Sequence, residues 1–103
     1  MNERQAAGVF SALSDPSRLA ILRLLVKAGP AGLPAGKIAT GLDASPSRTS
    51  FHLASLAKAH LVSSRKEARS VVYAVRFDTL GGVVTWLIED CCAGVDDLKM
   101  CCP

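Results

Sequence analysis

Cysteine is absent from the first 90 residues of this 103-residue chain and then occurs four times in the last 13, at Cys91, Cys92, Cys101 and Cys102. A disulfide framework would scatter its cysteines through the fold, so that class is excluded. Long apolar runs are absent too: nothing approaches the roughly 18 residues needed to span a bilayer. The opening Met1-Asn2-Glu3-Arg4-Gln5 is polar and leads into a helix rather than a signal-peptide hydrophobic region, so a cytoplasmic chain with reduced thiols is expected. No internal repeat or low-complexity linker is visible. The two histidines, His52 and His60, have no carboxylate orienter, and no glycine-rich phosphate loop or nucleotide fingerprint accompanies them, so an enzyme is not expected.

What is present points to one small domain with a partner. Half of the residues are hydrophobic and 20% are charged, which makes disorder improbable outside the ends. So large an apolar share in so short a chain implies burial against another subunit. Charge is segregated. Residues 1–77 carry 11 Lys/Arg against 4 Asp/Glu, whereas residues 78–103 carry one Lys against 5 acids. The first part suits a polyanion, and the acidic, thiol-rich end has a different task.

Ala6, Val9, Phe10 and Leu13 fall at i, i+3, i+4, i+7 and predict one apolar helix face. Asp15-Pro16 is an N-cap followed by proline at the first helical position. It opens a helix through about Lys27 that Leu19, Ile21, Leu22, Leu24, Leu25 and Val26 nearly encircle, predicting the most buried helix. Gly29-Pro30 stops it. Leu33 to Leu42 reads as a short helix ended by Gly41 and Asp43-Ala44. Ser45-Pro46 then opens another, through about Ala59, with Thr49, Leu53 and Leu56 facing the core. Its other side carries Ser47, Arg48, Ser50, His52 and Ser55, groups suited to a DNA groove. Two short helices so joined predict a helix-turn-helix.

The period then changes to two. Val71, Tyr73, Val75 and Phe77 alternate with Val72, Ala74 and Arg76, and Val62–Lys66 is the expected partner strand. Arg65, Lys66 and Arg69 lie on or beside the Glu67–Ser70 tip, where a basic hairpin, a wing, can follow phosphates. Asp78 is expected to cap a last helix whose Leu80, Val83, Val84, Leu87, Ile88 and Cys91 form one stripe. With little domain left to pack on, that stripe predicts a dimer seam.

Two segments, Ala12-Leu13-Ser14-Asp15-Pro16-Ser17-Arg18-Leu19-Ala20-Ile21-Leu22 and Ser47-Arg48-Thr49-Ser50-Phe51-His52-Leu53-Ala54-Ser55-Leu56, together with the run from Leu61 to Tyr73, resemble the arsenic-repressor (ArsR/SmtB) family of winged-helix repressors. The resemblance covers about residues 5–90. It implies a symmetric dimer on palindromic double-stranded operator DNA, released by an inducer, and no membrane partner. The expected architecture is α+β, mostly α: a winged helix-turn-helix homodimer of five helices and one β-hairpin. Residues 1–92 would form the DNA-binding and dimerisation domain, and 93–103 a flexible cysteine-bearing tail.

Departures from the family narrow the sensor. Where many members place a Cys-x-Cys pair this chain reads Leu33-Pro34-Ala35-Gly36, and from Asp78 to Cys92 there is no His for the family's zinc site. His60 stands where relatives usually carry a helix-ending glycine. What remains resembles the variant with an adjacent Cys pair ending the last helix and another cysteine in the tail. Adjacent helical residues point about 100° apart, so Cys91 and Cys92 share an ion only if the last turn unwinds, after which Cys101 or Cys102 folds back as third ligand. Three soft thiolates suit trivalent arsenic (arsenite) or antimony. Another soft metal (Cd, Pb, Zn), thiol oxidation, or unremarkable tail thiols stay open alternatives. Arg48 likewise reads as a base contact or a phosphate contact.

Overall fold

The computed structural model describes residues 1–91, of which Asp90 and Cys91 only by their backbone. Among these residues lie five α-helices and a three-stranded antiparallel sheet. Helix α1 (Glu3–Leu13) starts in a capping box: the Gln5 N–H donates to Asn2 Oδ1 at 2.8 Å and the Asn2 N–H to Gln5 Oε1 at 2.9 Å. Ala6, Val9 and Ala12 are its buried residues. Phe10, expected on that inner face, is 42% exposed, because the buried stripe advances by threes and leaves Phe10 beyond its edge.

Helix α2 (Pro16–Ala28) is capped as expected, with Asp15 Oδ1 accepting from the N–H groups of Ser17 (2.8 Å) and Arg18 (3.2 Å). Ile21, Leu22 and Leu25 enter the core, but Leu19 and Val26 are exposed, so its apolar girdle is not wholly enclosed within the protomer. A 3-10 turn, Gly29–Ala31, leads to Gly32, whose φ of 71° only glycine adopts without strain. A Cβ there would also collide with the Tyr73 carbonyl.

Leu33–Pro34 then forms strand β1 rather than the start of a helix. The reason is local: proline disfavours helical backbone in the residue before it, and Pro34 itself sits at ψ 148°. Helix α3 (Ala35–Leu42) ends on Asp43 in left-handed conformation (φ 52°), so Asp43 and not Gly41 is the stop. Helix α4 (Pro46–Lys58) is capped by Ser45, whose Oγ accepts from the Arg48 N–H at 3.2 Å. His60 takes the left-handed position after α4 (φ 61°), where the Leu61 N–H donates to the Leu56 carbonyl at 3.0 Å.

Strands β2 (Val62–Glu67) and β3 (Ser70–Val75) pair from Val62↔Val75 to Glu67↔Ser70. β1 adds to the far edge of β3 through Leu33↔Tyr73 and Pro34↔Val72, giving the order β1-β3-β2. Helix α5 (Phe77–Thr85) has Arg76 as N-cap with no side-chain cap. Asp78 is the second residue of the helix, its carboxylate accepting from Arg76 at 3.0 Å, so it is a pairing partner rather than the expected cap. Val83 is buried, Leu80 and Trp86 pack partly against the core, and Val84 is exposed. A π-helical stretch, Trp86–Cys91, continues from α5. Ile21, Leu25, Ile38, Leu53, Leu56 and Leu61 form the fully buried centre, which locks α2, α3 and α4 to the base of the sheet. Among the described residues no helix is long and apolar enough to cross a membrane.

Candidate nucleic-acid interface

Helix α3, the turn Asp43-Ala44-Ser45 and helix α4 make the helix-turn-helix. Backbone chemistry sets the angle of α4: the left-handed Asp43 reverses the chain, and the Ala44 N–H donates to the Ala39 carbonyl at 3.0 Å. Ser45 and Pro46 then start the new helix. Thr49, His52, Leu53 and Leu56, spaced i, i+3, i+4, i+7, are buried. Ser47, Arg48, Ser50, Phe51 and Ala54 are exposed on the other side.

Of the five residues expected on the groove side of α4, Ser47, Arg48 and Ser50 therefore share the outer face. His52 does not. It is 7% exposed, because position 52 falls on the same inward stripe as Thr49, Leu53 and Leu56. Its Nδ1, like the Thr49 Oγ1, is buried without a protein hydrogen-bond partner. Its ring sits near the α2 cap and adds to what holds the Asp15 carboxyl below its usual value, after the backbone N–H of Arg18, which contributes most, and of Ser17; partial desolvation opposes them. Ser55, expected on the outer side, is half-buried and donates back to the Phe51 carbonyl at 3.2 Å. Phe51 went unnoticed in the sequence, although its i+4 spacing from Ser47 puts it on the outer face; it is 65% exposed.

In the wing, β2 and β3 are joined by Ala68-Arg69, with Ala68 at φ 53° as the first loop position of a tight hairpin requires. Lys66 and Arg69 are exposed and, among the described residues, form no ion pair. Arg65 is employed elsewhere: its guanidinium donates to the Ala31 carbonyl at 2.6 Å and to Glu67 Oε1 at 2.9 Å. It thus braces the wing against the loop before β1.

The thiol cluster is not brought into view. The Cys91 side chain, Cys92, Cys101, Cys102 and the whole 93–103 tail lie outside the described residues. Among the described residues no group of three His, Cys, Asp or Glu could hold a metal ion.

Comparison with known proteins agrees with this architecture. A helix-turn-helix domain family model matches residues 13–65. The transcriptional repressor SdpR of Bacillus subtilis is 33% identical over 90 residues, spanning 87% of this chain and 97% of that protein. The cadmium resistance transcriptional regulatory protein CadC of Listeria innocua is 40% identical over 70 residues, spanning 68% of this chain and 57% of that one. Among solved structures, an ArsR-like transcriptional regulator from Rhodococcus sp. RHA1 superposes with a TM-score of 0.76 at 32% identity, covering 95% of this chain and 89% of that chain.

Proposed function

This chain belongs to the ArsR/SmtB family of winged-helix transcriptional regulators, and from that premise we propose that it is a dimeric repressor that leaves its operator when trivalent arsenic binds its C-terminal thiols. The observation that carries the reading is the thiol distribution: Cys91, Cys92, Cys101 and Cys102 all fall within the last 13 residues of the sequence, and no other cysteine occurs. Three of these thiols replace the three hydroxyls of arsenous acid, with three waters leaving and no change of oxidation state. Cys91 and Cys92 supply two, and Cys101 or Cys102 the third.

The helix geometry supports a coupling. Both cysteines of an adjacent pair face one ion only if the helix turn around them opens. The backbone leading to them is already π-helical over Trp86–Cys91, an arrangement rarer and less regular than the α-helix. Opening that turn disturbs α5, and with it the dimer. A dimer is supported by apolar surface left uncovered on the protomer: Phe10 of α1 and Phe77 and Val84 of α5 are each more than 40% exposed. Val83, expected at the seam, is spent on the protomer's own core, which leaves Val84 and the half-buried Leu87 to meet the partner. Coupling between ion and DNA must be reciprocal, so operator binding lowers arsenic affinity by the same factor, typically worth roughly 1–3 kcal/mol.

A second reading, release by cadmium, lead or zinc, draws on the likeness to CadC, a cadmium-resistance regulator. Both readings are tested on a fluorescent duplex enriched from a random pool by the protein itself. Arsenite and antimonite should release it at lower concentration than cadmium, lead or zinc, and Cys91→Ser/Cys92→Ser should bind the duplex as before yet ignore arsenite. Release of that double variant by arsenite would place the sensor elsewhere, and release by cadmium alone would favour the second reading.

A further inference from the structure

The centre of the outer face of α4 is apolar. Phe51 is 65% exposed there, the most open of the large hydrophobic side chains among the described residues. Its neighbours on that face are Ser47, Arg48, Ser50 and Ala54. Ser55, one turn on, has turned its hydroxyl back to the Phe51 carbonyl at 3.2 Å, away from any external partner. Among the described residues the other exposed large apolar side chains lie elsewhere: Met1 at the N-terminus, Phe10 on α1, Leu19 and Val26 on α2, Val71 on β3, Phe77 and Val84 on α5. Core packing does not account for Phe51, because the opposite face of α4 (Thr49, His52, Leu53, Leu56) fills the core. The polar residues around it are those of the DNA-reading face.

A phenyl ring has no hydrogen bond to offer a base edge. In the major groove, where the second helix of a helix-turn-helix lies, the apolar feature that matches it is the C5-methyl of thymine. Insertion as a wedge between base pairs belongs to minor-groove binders, which present their apolar residues differently. We infer that Phe51 is a specificity-determining residue that reads a thymine methyl in each operator half-site, with Arg48 and Ser47 flanking it as polar contacts. This inference rests on the DNA-binding reading but is independent of which ion the thiols sense.

The test uses the intact protein and a duplex it selects from a random, unmethylated pool. Each thymine of that duplex is replaced in turn by deoxyuridine, which removes the methyl and leaves pairing and hydrogen-bonding edges unchanged. The wild-type protein should lose about fourfold in affinity at one position per half-site, the scale of burying a single methylene-sized group, and about fifteenfold when both are replaced. Phe51→Ala should bind thymine and deoxyuridine duplexes equally while still melting cooperatively, since the removed ring is exposed. Indifference of the wild type to every replacement, or unchanged discrimination by Phe51→Ala, overturns the assignment. A selected cytosine whose 5-methyl form binds better would overturn it in favour of methylcytosine. If no duplex is enriched at all, the DNA-binding reading falls with it.

Discussion

Helices α4 and α5 are built on opposite plans. α4 begins with a side-chain cap and a proline at its first position, fills the core with four residues, and ends in a left-handed turn whose hydrogen bonds close it. α5 begins without a side-chain cap, carries Gly81 and Gly82 in its interior, buries only Val83, and runs on into π-helical backbone. Helix formation is favoured locally in the first and has less local support in the second. An element whose order depends on what covers it is where a ligand of modest binding energy can shift a population. A helix locked into the core is where a reading surface stays fixed.

The largest effect should come from striking α5 where it is exposed. Val84→Asp adds a charge to a side chain that its own protomer leaves 47% open, so each chain should still fold. A charge buried unpaired in the seam is strongly unfavourable, so sedimentation should show monomer and operator affinity should fall by at least about a hundredfold. A dimer that survives this change would remove the dependence of α5 on its partner.

On the α4 side the effects are smaller and divide by role. Arg48→Ala should weaken operator binding by about tenfold while sparing unrelated DNA, as loss of a base contact does. Arg69→Ala should weaken binding to all duplexes alike and flatten the salt dependence by about one unit of log–log slope, as loss of one phosphate contact does. Arg65→Ala is a third case: its guanidinium is tied to Ala31 and Glu67, so its removal should loosen the wing, visible as faster amide exchange in β2.

A finer intervention strengthens α5 without touching thiols. A Cβ at Gly81 meets nothing within 4 Å, and at Gly82 only Met1 Cε at 3.5 Å. Gly81→Ala/Gly82→Ala should therefore stabilise the helix by roughly 1 kcal/mol per site. If sensing requires α5 to yield, release should then need several-fold more arsenite at unchanged operator affinity; an unchanged dose response would separate sensing from helix stability.

The smallest effect concerns the α2 cap. The Asp15 carboxyl is held below its ordinary value of 3.8, first by the Arg18 backbone N–H. A depressed folded value means that this contribution is complete above about pH 4 and is lost as pH falls through the lower folded value. Asp15→Asn keeps a capping oxygen without the charge. Thermal melts of the variant should show less acid sensitivity below pH 4 and near-normal stability at pH 7.

How much of this was legible in the sequence follows the same division. Caps and turns speak through adjacent residues, so Asp15-Pro16, Ser45-Pro46 and the wing tip could be placed, and the helix-turn-helix with them. β1 was missed because two residues carry no periodicity and only Pro34 betrays extended backbone. His52 was assigned to the groove by its chemistry although its spacing from Thr49 and Leu56 is that of a core position. Phe51 was passed over because an apolar residue on a helix is presumed to face inward. For α5 the pattern alone could not say which apolar residues its own protomer buries, and Val83 is buried whereas Val84 is exposed.

The pairing of Leu33 with Tyr73 has a kinetic consequence. Everything between those residues, the helix-turn-helix and the first strand of the wing, lies inside the loop that this contact closes. Closing so long a loop costs chain entropy that local contacts avoid, and such contacts slow folding. The β2–β3 hairpin can assemble from near neighbours, whereas β1, like the core contact of Ile21 with the Leu61 region, must wait for distant parts of the chain to meet. Until Gly32 lets the chain pass beneath the Tyr73 carbonyl, one edge of β3 stays open to any strand that reaches it, including one from another copy during synthesis. A single glycine is thus a condition for covering that edge at all.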